Sequence, residues 1–156
     1  MPRSLAIAIG VVLLLAAGVL AFVLRPGHAL SPEEAVRAAV QRMEQGLSDK
    51  DASRVMDPVS EAFHSQTLGD RTELKRMVLA QLMRGGALKV VTLQADVVPG
   101  ENGRLLWQGR VAAAQAGGAG LATVTDAELR QFHVEAAFAE EQGQWRLVAA
   151  TVTPVE

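Results

Sequence analysis

The hydrophobic period of this chain changes once, at Gly85-Gly86, and that change fixes the fold class. Before it, apolar residues recur at helical spacing. Val36, Val40, Met43 and Leu47 follow at intervals of four, three and four, and Leu74, Met77, Val78 and Leu82 form a later stripe. After it, apolar and polar residues alternate, as along a half-buried strand. Val91, Leu93, Ala95 and Val97 share one face of 88–98, and Leu105, Trp107, Val111 and Ala113 share one face of 104–115. Phe132, Val134, Ala136 and Phe138 do so in 130–140, and Trp145, Leu147 and Ala149 in 144–153. Gln108, Arg110, Gln131, His133, Glu135 and Arg146 fall opposite, with Asp96 among them.

The punctuation agrees with this division. Ser31-Pro32-Glu33-Glu34 is a capping box with proline at the first helical position. Ser48-Asp49-Lys50-Asp51 starts a short helix that Pro58 stops after Asp57, and Asp70-Arg71-Thr72-Glu73 caps a third helix. Residues 59–69 carry no clean period. Pro99-Gly100-Glu101-Asn102-Gly103, Gly117-Gly118-Ala119-Gly120 and Gln142-Gly143 suit hairpin connections. The expectation is an α+β domain, 31–154, with three helices packed on a curved four-stranded antiparallel sheet.

The opening "SPEEAVRAAVQRMEQGLSDKDASRVM" and the closing "GQWRLVAATVTP", with this element order, resemble the nuclear transport factor 2-like superfamily of cone-shaped, cystatin-like α+β domains. The resemblance implies a cavity between sheet and helices. Ketosteroid isomerases, scytalone dehydratases, limonene epoxide hydrolases and polyketide cyclases of that superfamily place acids, bases or hydrogen-bond donors on such a cavity's wall. The isomerase site needs a tyrosine, and this chain has none. The inward register of the sheet carries no acid or histidine, so no general base is expected there. Thr151 and Thr153 are the polar side chains expected on the inner face of the last strand.

Ahead of the domain, Leu5–Leu24 is an unbroken apolar run of twenty residues, long enough to cross a bilayer as a helix. Arg3 precedes it, and Arg25 with Pro26-Gly27 closes it. The expected organisation is a cytoplasmic stub 1–4, a transmembrane helix 5–24 and a linker 25–30. The other reading is a signal peptide cleaved after Gly27-His28-Ala29. Either places the domain outside the cytoplasm: anchored to the inner membrane with its C-terminal domain in the periplasm, or secreted there. Arginine outnumbers lysine twelve to three and alanine is abundant, which suggests a GC-rich bacterial genome.

Cysteine is absent, which excludes disulfides, thiolate metal sites and a thiol nucleophile. Beyond Arg3 and Arg25, thirteen basic residues are interleaved with seventeen acidic ones. No basic face for nucleic acid results. His28, His64 and His133 lack metal-ligand spacing, so neither metal nor cofactor is expected. His64, near the expected cavity mouth, is a candidate ligand contact or a solvated loop residue. Trp107, Phe132, Phe138 and Trp145 are candidate cavity walls, as stacking surfaces or plain core. Met43, Met77 and Met83 read as core packing. On the outer face, Ala112, Ala114, Val148, Ala150 and Val152 form a candidate dimer patch.

Two functions follow. One is a non-enzymatic, membrane-anchored binding or scaffold module of a bacterial envelope, with a bilayer contact through 5–24, an envelope protein partner or a second copy of itself. Its layout is similar to that of the inner-membrane scaffold subunit of type IV secretion systems, a longer family with more helix. The alternative is a small-molecule-binding protein or lyase/isomerase-type enzyme that uses the apolar cone.

Overall fold

A computed structural model describes residues 29–84, 88–115 and 130–155. The expected membrane segment 5–24, its stub and most of its linker lie outside the described residues, as does the glycine-rich connection 117–120. Among the described residues, no helix is long and apolar enough to cross a membrane.

The helices begin where their caps predict. Helix α1, Pro32–Ser48, starts at Ser31, whose Oγ accepts from the Glu34 amide at 3.2 Å. The Glu34 carboxylate accepts from the Ser31 amide at 2.8 Å, which closes the capping box. Helix α2, Ala52–Met56, is capped by Asp51, which accepts from Arg54 N at 3.1 Å. A two-residue ladder, β1 (His64–Ser65) with β2 (Gly69–Asp70), precedes helix α3, Arg71–Met83. Asp70 and Glu73 form a second reciprocal box at the start of α3.

Four long strands follow: β3 (Leu88–Pro99), β4 (Leu105–Gln115), β5 (Arg130–Glu141) and β6 (Gln144–Pro154). They pair antiparallel in the order β3-β4-β5-β6. The two-residue turn Gln142-Gly143 has φ of 53° and 78°, the doubly left-handed geometry that matches strand twist in a tight hairpin. Among the described residues, the α+β class, with three helices and a four-stranded antiparallel sheet, is as the spacing predicts.

The alternation, however, is broken once in each edge strand. In β3, Thr92 pairs with Val111 and Gln94 with Arg110, so Leu93 is an extra residue. In β6, Ala149 pairs with Ala137 and Leu147 with Phe138, so Val148 is extra. An extra residue in one strand reverses which parity faces the core. Beyond each bulge the expected faces are therefore corrected. Val91 and Leu93 are not on the inner face: they are 44% and 53% exposed, while Val90 packs on the core. Ala150 and Val152 are not on the outer face: Ala150 belongs to the core and both face the inner side, whereas Thr151 and Thr153 are exposed.

The segment 59–69 owes its shape to β6 and not to local period. Leu147 N donates to Pro58 O at 2.8 Å, and Ser60 N donates to Leu147 O at 2.9 Å. Buried Ser65 donates from Oγ to Ala150 O at 2.6 Å. These bonds occupy the edge of β6 that would otherwise stay unpaired. Phe63, between the two serines, is buried.

Helix α1 lies across the inner face, in contact with β3, β4 and β6, and α2 packs beside it. Gly46 permits that approach, since a Cβ there would sit 2.8 Å from both Val55 Cγ2 and Val55 N. Helix α3 has its main contacts with α2 and β2. Val78 alone of its residues is buried, and Met77 and Met83 are 47% and 84% exposed, so the expected core role of these two methionines does not hold. The rest of the core gathers Val36, Val55, Met56, Val59, Phe63, Leu105, Trp107, Phe138 and Leu147.

The register change in β6 is open to a paired test. Ala150→Gln places an amide among apolar core groups and should cost more than about 2 kcal/mol. Thr151→Gln, one residue on, faces solvent and should stay within about 0.5 kcal/mol of the parent. Denaturant unfolding of both variants measures this, and strict alternation along β6 requires the opposite order.

Candidate functional site

Between α1, α3 and the sheet lies an apolar cavity. Its inner compartment has a volume of about 240 Å³. Val40, Met43 and Leu47 of α1 form one wall, with Phe63 and Leu68 from the loop. Trp107, Val111, Val134, Ala136, Phe138, Leu147, Ala150 and Val152 form the sheet wall. A second compartment of about 530 Å³ lies under α3, lined by Met77, Val78, Gln81, Arg84, Leu88, Ala113 and Phe132 among others. The two share Leu47, Leu68, Leu74, Val90, Val111, Val134 and Val152, so they adjoin along one apolar funnel wall.

The funnel lies beside α3, which contacts mainly α2 and β2 and packs Val78, with Leu74 and Leu82 partly buried, against the core. Small side chains keep its wall open: Ala113, Ala136 and Ala150 stand where larger residues would fill the space. The bulges set its composition, since they turn Val90, Ala150 and Val152 into the wall.

One ionisable residue, Glu44 of α1, borders the inner compartment, but only through its apolar stem, since the wall's surface is wholly apolar. It is half-buried, and its Oε1 accepts a hydrogen bond from Thr92 Oγ1. Thr92 directly precedes the extra residue of β3, so the register change that turns Val91 outward also turns Thr92 toward α1. Glu44 is missing from the expected inner face because strands alone define that face. The signal is in the helix: Glu44 stands four residues after Val40 and three before Leu47, on the edge of the apolar stripe.

A polar recess of about 430 Å³ lies elsewhere, lined by Val59, Glu61, Glu141, Gln142 and Arg146. Its groups are already paired. Buried Ser60 donates to Glu141 Oε1 at 2.6 Å and accepts from Ala62 N at 3.0 Å. Arg146 donates to Asp57 O at 2.9 Å, and Arg71 lies 3.5 Å from Glu61. This is a latch between the loop after α2 and the β5–β6 hairpin. No histidine takes part in it, so Ser60 has no base of the kind that activates a nucleophile.

The named candidates distribute as follows. Trp107 and Phe138 line the inner compartment, and Phe132 lines the outer one. Trp145 is half-buried against the core and lines neither compartment. His64 is exposed and lies on none of these walls. Of the proposed dimer patch, Ala150 and Val152 face the funnel and Val148 is the bulge residue. Ala112 and Ala114 fall on the outer side and are buried.

No family model matches the chain. No curated protein matches it. Solved structures do, and they define the fold as the nuclear transport factor 2-like, cystatin-like cone. A protein of unknown function from Pseudomonas putida, described as nuclear transport factor 2-like, superposes with a TM-score of 0.63 at 14% identity, over 78% of this chain and 84% of that one. An uncharacterized cystatin-like protein from Caulobacter vibrioides gives 0.64 at 14% identity, over 78% and 88%. Aln2 from a Streptomyces species gives 0.67 at 13% identity, over 80% and 92%. At these identities the likeness is one of fold.

The latch makes a stability prediction. Ser60→Ala leaves the Ala62 amide and one Glu141 oxygen without this partner, and should lower unfolding free energy by about 1–3 kcal/mol. His64→Ala, at an exposed position, should change it by less than about 0.5 kcal/mol. Chemical denaturation of the two variants side by side checks both.

Proposed function

We propose that this chain is a membrane-anchored, extracytoplasmic binding module of a bacterial envelope, and that its cone holds a lipophilic small molecule. The observation that carries the reading is the pair of adjoining compartments, the inner one with a wholly apolar wall. Ligand sites are characteristically concave, mostly apolar and marked by few polar groups. The inner compartment's wall presents a wholly apolar surface, without the separate acid and base that an isomerase or lyase divides between two groups. Binding without turnover is the simpler use of such a wall.

The anchor rests on the twenty-residue apolar run Leu5–Leu24 and its flanking Arg3 and Arg25. A domain tethered by the short linker 25–30 would meet lipophilic molecules near the bilayer surface. The intact mass of the membrane-extracted protein distinguishes anchor from cleaved leader.

Toluene titrated into the full chain in phosphatidylcholine nanodiscs, with empty nanodiscs as blank, tests the cavity. Saturable binding is expected by calorimetry. Val134→Phe, which adds a ring to the wall shared by both compartments, should weaken it at least about tenfold by occupying the space. Absence of saturable binding by the parent, or equal binding by Val134→Phe, contradicts the reading.

A further inference from the structure

We propose that the exposed face of α3 docks on a bilayer surface that carries anionic phospholipid. The inference rests on the anchored reading above for the bilayer's proximity, and it adds the surface of the domain that meets it.

Helix α3 is set apart by what it leaves outside. Met77, Leu79 and Met83 are all exposed, and among the described residues no other element exposes three large apolar side chains. Their spacing groups them with cations. Lys75, Leu79 and Met83 stand four residues apart in one row along the helix, and Arg76, Ala80 and Arg84 form the adjacent row. Leu74, Val78 and Leu82, which pack on the core, lie on the opposite side. Lys75, Arg76 and Arg84 are exposed. Glu73 is the one acid within α3, and its carboxylate is engaged at the helix start by the Asp70 amide. In a chain of net charge −2, this face thus gathers three cations around Leu79 and Met83.

That combination suits a lipid surface. Leucine and methionine enter between acyl chains, while the stems of lysine and arginine reach up to phosphate groups. Each basic residue close to an anionic surface strengthens binding about fivefold. A second copy of the chain fits less well, because a twofold contact would set Lys75, Arg76 and Arg84 against their own like charges. A protein partner is ordinarily gripped by aromatic anchors, and α3 has none. The linker 25–30 spans at most about 20 Å when fully extended, so an anchored domain stays within reach of the bilayer. Met77 and Arg84 also line the outer compartment, so lipid on this face meets the rim of the cavity.

The test is contact between lipid and methionine methyl groups. The full chain, labelled at its methionine methyls, is placed in nanodiscs of phosphatidylcholine, alone or mixed with phosphatidylglycerol. With phosphatidylglycerol present, nuclear Overhauser contacts from acyl-chain protons should appear at Met77 and Met83 and not at buried Met56. They should be at least about fivefold weaker in phosphatidylcholine alone and in high salt. The double variant Lys75→Glu with Arg76→Glu should lose them in both lipids while the Met56 signal stays in place. The parent's own dependence on lipid tests the proposal without any variant. No lipid contact at Met77 and Met83, equal contact in the two lipids, or contact that survives in the double variant each overturns it. A leader found cleaved by intact mass overturns the anchored reading alone. Flotation of that mature chain with phosphatidylglycerol vesicles, and not with phosphatidylcholine vesicles, then supports the docking face, and no flotation overturns it.

Discussion

Leu93 and Val148 each occupy a place in an edge strand with no partner across the ladder. Much of the domain's inner surface depends on those two unpaired residues. A bulge bends its strand and exchanges the faces of everything beyond it. In β3 the exchange brings Val90 and Thr92 to the inner side and turns Val91 and Leu93 out. In β6 it brings in Ala150 and Val152. The inner face is thus assembled from segments in two registers, with the change on each edge held by a contact from outside the sheet. On β3 that contact is Thr92 to Glu44 of α1; on β6 it is Leu147 with Pro58 and Ser60, and Ala150 O with Ser65.

The funnel follows from this and from the stance of α3. Protein interiors normally pack as densely as organic crystals, and unfilled apolar space forfeits dispersion contacts. A wall that keeps Ala113, Ala136 and Ala150 facing open volume, under a helix that buries only Val78, accepts that loss. Met77 on α3, which lines the outer compartment, stays 47% exposed. The energy forgone here is recoverable by a ligand that supplies the missing contacts. The cavity is therefore a property of incomplete packing.

Local rules make much of the fold legible in the sequence. Ser31, Asp51 and Asp70 mark helix starts because their side chains bond backbone amides only three residues on. Gln142-Gly143 marks a hairpin because the turn's geometry is set within two residues. What escapes is non-local. A bulge such as Val148 has no signature of its own, and an alternating pattern read straight through it assigns Ala150 and Val152 to the wrong face. The segment 59–69 has no period because Ser60, Phe63 and Ser65 answer to β6, some eighty residues away. Glu44 is legible in principle from its spacing to Val40 and Leu47. It escapes when helices are read only for their apolar positions and strands only for their polar ones.

The most direct test of the account is xenon binding followed by methyl NMR on the full chain in nanodiscs. Xenon enters apolar cavities and perturbs the methyl groups that line them. Saturable shifts are expected at Val90, Val134 and Val152, with Val91 and Leu93 unmoved. Shifts at Val91 and Leu93 in their place, or none at Val90, Val134 and Val152, would contradict both the register and the cavity.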